Sequence, residues 1–117
     1  KVMLFLPDHD SWNETLTKYQ CHSIRDFFKF LGVDIVLIDG TFWSRNELRN
    51  RDQIDVPHPP VSETLEFLGK RKPEEDPEIY FTHLNHTNPL LNTGSVQYQK
   101  VNEAGWTVAA QGQIFIL

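Results

Sequence analysis

Three apolar runs in this sequence each end in side chains that can bind a metal ion or move a proton. Residues 2–6 lead into Asp8, His9 and Asp10, residues 33–38 into Asp39, and residues 79–82 into His83 and His86. His58 stands apart, in the proline-rich stretch Val56-Pro57-His58-Pro59-Pro60. Carboxylate oxygen and neutral imidazole nitrogen suit hard and borderline divalent ions, and the same groups serve as general acids and bases. Spacing alone is a weak signal, because none of these residues has the tight ligand pattern of a zinc finger or of a His-Glu-x-x-His helix. Each also has a structural reading: Asp8 and Asp39 as caps of the turns that follow them, His83 as a buried histidine, His58 as a plain loop residue.

The elements that must position these groups can be read from the pattern around them. The three runs are continuous, as in strands buried by an α/β fold, and strands lying parallel would collect their C-terminal ends at one edge, where α/β proteins bind ligands. Ser23 with Asp26, followed by Ile24, Phe27, Phe28 and Leu31 at helical spacing and then Gly32, predicts a helix over 24–31. Ser44 with Glu47 suggests another helix start, residues 50–60 read as a loop rising beside the strand ends, and 61–69 as a helix with Ser62 as its cap. Residues 70–78 form a charged linker. A helix over 95–104, closed by Gly105, precedes strands over 107–110 and 113–117 joined by a hairpin turn at Gln111-Gly112.

Composition bounds the class. With 117 residues, 39% hydrophobic and 23% charged, the chain reads as a single globular domain over 1–117, which excludes disordered, collagenous and coiled-coil classes. The net charge of −5, with Lys70-Arg71-Lys72 as the one dense basic cluster, argues against nucleic acid as a partner. No apolar run approaches the roughly 20 residues of a membrane span, and the first residues are too short for the apolar region of a signal peptide. The lone Cys21 permits no internal disulfide, so a cytoplasmic setting is expected. A start on a strand-like run without an initiator methionine is expected of a piece of a longer chain.

Read in order, Leu6-Pro7-Asp8-His9-Asp10-Ser11-Trp12, Ile38-Asp39-Gly40-Thr41-Phe42-Trp43, Pro57-His58-Pro59-Pro60 and Phe81-Thr82-His83-Leu84-Asn85-His86-Thr87-Asn88-Pro89 resemble the second half of the metallo-β-lactamase-fold hydrolases. The branch to which they are most similar is the one related to pyrroloquinoline-quinone biosynthesis protein B. The resemblance runs from end to end of the chain, through Ala104-Gly105-Trp106, and its most specific part is Asp-Gly-Thr-Phe-Trp combined with His-x-Asn-x-Thr-Asn-Pro. It implies an α/β fold, the C-terminal half of an αββα metallo-β-lactamase-type sandwich, whose N-terminal half lies outside these residues.

The resemblance also implies roles. Asp8 stands where relatives that hold two metals place a bridging aspartate, and His83 matches the late histidine ligand at a strand end. Asp39 and His58 resemble the acid–histidine pair of phosphodiesterase-type relatives, in which the acid orients a histidine that protonates the leaving group. His86 and Trp43 are the expected substrate contacts, although Trp43 also suits a core position. The implied cofactor is a divalent metal, zinc first, with iron and manganese as alternatives, and the implied reaction is hydrolysis of a small-molecule substrate, a phosphodiester being favoured.

Two departures qualify it. The hallmark His-x-His-x-Asp-His is absent, since the five histidines are His9, His22, His58, His83 and His86, so the remaining ligands are expected on the N-terminal half. Biosynthesis protein B proper usually lacks the aspartate at position 8 and has Asn at position 86, which points to a neighbouring subgroup. Two other readings stay open: an iron-dependent oxygenase or quinone-cofactor biosynthesis step on the same fold, and a non-catalytic binding or structural domain. A homodimer is left open as well.

Overall fold

The structure is a computed structural model that describes residues 1–48 and 57–117. Its elements follow the chain as β1 (Met3–Leu6), α1 (Trp12–Lys18), α2 (Ile24–Leu31), β2 (Ile35–Asp39), α3 (Val61–Leu68), β3 (Glu78–Thr82), a 3-10 turn (Pro89–Leu91), α4 (Val96–Glu103) and β4 (Thr107–Val108). The four strands form one sheet in the order β1-β2-β3-β4, every pair parallel.

Register sorts the strand residues into two faces, because successive side chains point to opposite sides. Leu4, Val36 and Ile79 align in one row and Leu6, Ile38, Phe81 and Val108 in another. These rows join Trp12 of α1, Ile24, Phe27 and Phe28 of α2, Val61 and Leu68 of α3 and Val101 of α4 in one core, so the helices all cover the same face. Parallel strands in sequential order require this, since right-handed crossovers carry each helix to the same side. The other face presents Phe5, Leu37 and Tyr80 in a row, and Phe5 is 61% exposed.

Local chemistry explains the helix ends. Ser23 Oγ accepts from the Asp26 N–H at 3.0 Å, and Gly32 closes α2 in the left-handed conformation, as its sequence predicts. The helix α1 adds to the elements expected from the sequence; Ser11 and Glu14 carry its capping signal, and Ser11 Oγ accepts from the Glu14 N–H. At α3 the expected cap is corrected. Pro60 is the N-cap with no side-chain bond, while the Val61 and Ser62 N–H groups donate to the Phe42 and Trp43 carbonyls at 2.9 and 3.0 Å. The start of α3 is thereby pinned to the loop that follows β2.

Two further expectations change, and a third lies largely outside the described residues. Ser44 starts no helix among the described residues, because the Glu47 carboxylate is engaged by the Trp43 N–H at 2.7 Å and stabilises a turn. The loop expected over 50–60 lies outside the described residues as far as residue 56. The strand over 113–117 and its hairpin are not formed: Gln111-Gly112 is a turn, but Gln113 Oε1 takes the Ala110 N–H that a ladder would use. Ile114 and Ile116 stay exposed, while Phe115 rests edge-on against Tyr80 on the open face, ring centroids 4.8 Å apart. Among the described residues no helix is long and apolar enough to cross a membrane.

Candidate metal centre and proton-transfer site

The parallel sheet brings Asp8, Asp39 and His83 to its C-terminal edge, each just past or at the end of a strand. Asp39, the last residue of β2, is 3% exposed and fully engaged. Its Oδ2 accepts from the His9 N–H at 2.9 Å and lies 2.5 Å from His58 Nδ1, and its Oδ1 accepts from the Thr41 N–H at 2.9 Å. Pinning α3 to Phe42 and Trp43 is what places His58, three residues before that helix, over this carboxylate. The Phe42 ring packs edge-on against His58 at 5.8 Å.

His83 arrives from β3. Its φ of 63° is left-handed, a conformation that costs a residue with a Cβ and that, outside glycine, concentrates at functional positions. Thr41 Oγ1 lies 3.0 Å from His83 Nδ1 and 3.3 Å from His58 Nδ1, and the two rings are 6.0 Å apart. The loops holding them are tied together. Gly40 N–H donates to the Thr82 carbonyl at 2.7 Å, and the buried Asn88 side chain donates to the Gly40 and Thr41 carbonyls while accepting from the Leu90 N–H. A Cβ on Gly40 would stand 2.9 Å from the Thr82 carbonyl oxygen, so the close approach of the two strand ends requires glycine.

Asp8 is at the rim, its side chain 74% exposed and its Oδ1 3.6 Å from His58 Nδ1. His9 is buried, with Nε2 2.6 Å from Thr15 Oγ1 and its ring against Trp12. Burial pushes its imidazole below the ordinary value, against the pull of Asp39, Asp10 and Glu14. Trp43 is half-buried and packs against the core, and His86 lies exposed in the turn after β3, so neither touches the Asp39–His58–His83 group in the way the other three touch one another. Beside His58 opens a cleft of about 300 Å³ whose walls include Trp12, Asn13, Arg45, Pro59, Glu63 and Phe67.

Among the described residues, Asp39, His58 and His83 each offer a ligand atom within 4.8 Å of the others. One carboxylate and two imidazoles fit zinc, and fit iron as well. The same geometry contains a carboxylate–imidazole pair, in which the acid fixes the tautomer and orientation of the ring. The residues that sequence reading passed over are those that hold this group. Only the fold shows that Thr41 lies beside both histidines and that Asn88 ties their loops.

No family model matches the chain. It is similar to coenzyme PQQ synthesis protein B of Methylococcus capsulatus, 34% identical over 89 residues that cover 72% of this chain and 29% of that protein. Its likeness to the protein of the same name from Gluconobacter oxydans runs over 100% of this chain and 37% of that protein, at 27% identity. The crystal structure of zinc-bound PqqB from Methylobacterium extorquens superposes with a TM-score of 0.63 over 98% of this chain and 37% of that one, at 22% identity. The chain thus spans roughly a third of the length of the proteins it matches. These likenesses agree with the motifs: the chain is PqqB-like, and its fold is the C-terminal half of a metallo-β-lactamase-type sandwich.

Proposed function

We propose that this PqqB-like chain is the C-terminal share of a metal-dependent hydrolase, and that its sheet edge contributes part of a divalent-metal site. The observation that carries the reading is the convergence of Asp39, His58 and His83 from three separate segments of the chain, with the Asp39–His58 pair set for proton transfer and His83 beside it for the ion. Zinc is the favoured ion, in keeping with the donor set and with the zinc in the similar PqqB structure. His83, with Asp8 at the rim, would hold it from this side, and ligands from the N-terminal portion of the fold would complete it. Such an ion supplies Lewis acidity and lowers the pKa of its bound water toward about 7.

The chain's own residues do the proton work. Asp39 accepts from His58 Nδ1 and so turns Nε2 outward, from which the doubly protonated imidazolium can deliver a proton to a leaving oxygen and be left as the neutral ring still held at Nδ1. A phosphodiester suits that arrangement, because its alkoxide leaving group gains most from a general acid. The cleft beside His58 offers Arg45 at its wall, already 2.7 Å from Glu63, as a cationic contact for an acidic substrate.

The relatives' name favours a second reading on the same residues, a step in quinone-cofactor biosynthesis. Two imidazoles and one carboxylate are also the donor set of non-haem iron oxygenases. Elemental analysis of the full-length protein, with hydrolysis of bis(4-nitrophenyl) phosphate, separates the two. Stoichiometric zinc with phosphodiesterase activity supports the hydrolase. Iron with substrate-dependent oxygen uptake supports the second reading, and a protein that binds no metal after reconstitution sinks both. His83→Ala should lose the metal, whereas His58→Ala should keep it and lose activity.

A further inference from the structure

We propose that Thr41 is a positioning residue for His83: its hydroxyl holds Nδ1 and leaves Nε2 as the atom offered to the metal ion. The inference rests on the reading of His83 as a ligand and goes beyond it in naming the group that sets the ring.

The hydrogen-bond inventory argues for it. The Asp39 carboxylate only accepts, so at 2.5 Å the His58 Nδ1 carries the proton and gives it to Asp39. Thr41 Oγ1, 3.3 Å from that nitrogen, is a secondary neighbour there, and its shorter contact is the 3.0 Å one with His83 Nδ1. Thr41 is itself fixed. It is buried, its N–H is held by Asp39 Oδ1, and its carbonyl takes the Asn85 N–H and the Asn88 side chain. His83 by contrast is exposed on a left-handed backbone, so the ring needs an anchor and this hydroxyl stands within reach of it. A histidine that ligates through Nε2 donates its Nδ1–H to an outer partner, which fixes both tautomer and ring plane, and losing that partner typically weakens metal binding 10–100-fold. The pair Asp39–His58 and the pair Thr41–His83 are then two versions of one device, joined through the Thr41 N–H.

The test uses the full-length protein with Thr41→Val and Thr41→Ser. Valine keeps the shape and the backbone bonds and deletes the hydroxyl, while serine keeps the hydroxyl and deletes the methyl. Zinc affinity is read by competition with a chromophoric chelator, and the histidine ring nitrogens by long-range proton–nitrogen NMR on the metal-free protein. The expected result is a 10–100-fold weaker zinc affinity in the valine variant, with a shifted His83 Nδ1 resonance, and recovery of both in the serine variant. Unchanged zinc affinity in the valine variant overturns the proposal. So does a serine variant as impaired as valine, which would assign the role to the methyl group. If the parent protein binds no zinc, the metal reading fails, and the His83 resonance still decides whether Thr41 sets the ring.

Discussion

The Asp39 carboxylate and the His58 imidazole meet at 2.5 Å although 19 residues separate them, and the contact exists because α3 begins on the carbonyls of the loop that Asp39 opens. The acid is nearly closed off from water, its side chain 2% exposed, and the ring is 12% exposed. Such a pair holds one tautomer and one ring orientation.

Asp39→Asn should lose the chemistry and loosen one of the two turns that the carboxylate holds, because Oδ1 accepts from the Thr41 N–H and Oδ2 from the His9 N–H, and an NH2 group can accept from neither. The amide can offer its NH2 group to His58 and so favour the wrong tautomer. General acid catalysis is worth about 10²–10⁴-fold, and a fall of that size in kcat is expected, with substrate KM changing far less. Steady-state kinetics on the full-length protein checks it. A loss confined to KM would move Asp39 from proton transfer to substrate binding.

Gly40→Ala should damage the site through the backbone. The new Cβ would stand 2.9 Å from the Thr82 carbonyl oxygen and 3.1 Å from Phe81 Cβ, atoms fixed in β3. A strand end cannot yield as a flexible side chain does, so a destabilisation of about 1–3 kcal/mol is expected. Because Gly40 lies between Asp39 and Thr41, metal affinity should fall with it. Denaturant unfolding and chelator competition measure the two effects, and a stable variant with normal metal binding would contradict the close approach.

A separate ion pair adds a pH-dependent contribution to the stability of the fold. Arg25 grips Asp76 with two bonds of 2.6 and 2.7 Å and also donates to the Leu68 and Lys70 carbonyls, joining α2 to the segment after α3. Burial opposes the Asp76 charge, but the bonds from Arg25 and from the Lys72 N–H outweigh it and hold the carboxyl below its ordinary value. The unfolded chain thus binds this proton more readily. The stabilisation is complete above about pH 4, the unfolded value, and drains away as pH falls below it through the folded value. Asp76→Asn should cost about 3 kcal/mol near pH 7. The gap between variant and parent should narrow at pH 3, and a gap independent of pH would show that the charge is not what matters.

Much of this was legible in the sequence, for identifiable reasons. The strands β1, β2 and β3 announced themselves as continuous apolar runs, and α2 and α4 through Ser23, Gly32 and Ser95, because caps and runs are local signals. The meeting of Asp39 with His58 could be named only by family resemblance, since a contact across 19 residues leaves no local trace. Thr41 shows the limit more sharply. Its sequence context says turn, and its hydroxyl matters only because a third segment delivers His83 beside it. Ile114 and Ile116 alternate as a strand does, but a strand also needs a partner edge, which they do not find among the described residues.

The open sheet face gives the last prediction. Phe5, Leu37 and Tyr80 share one row on the side without helices, and Phe5 is 61% exposed while Leu37 and Tyr80 are half-buried. A strand set in a finished two-layer α/β unit with one wet face would alternate polar residues there, and these do not. The row is expected to be covered by the sheet of the N-terminal portion in the full-length protein. In that case Phe5→Ser removes a buried aromatic side chain and costs about 2–4 kcal/mol, as large-to-small core changes do. If the face stays wet, the same change costs under about 0.5 kcal/mol, the usual limit for a surface substitution. Denaturant unfolding of the full-length protein and its Phe5→Ser variant tells the two apart. Hydrogen exchange adds an independent reading: the amides of β1, an edge strand here, should exchange slowly if a second layer covers them and quickly if none does.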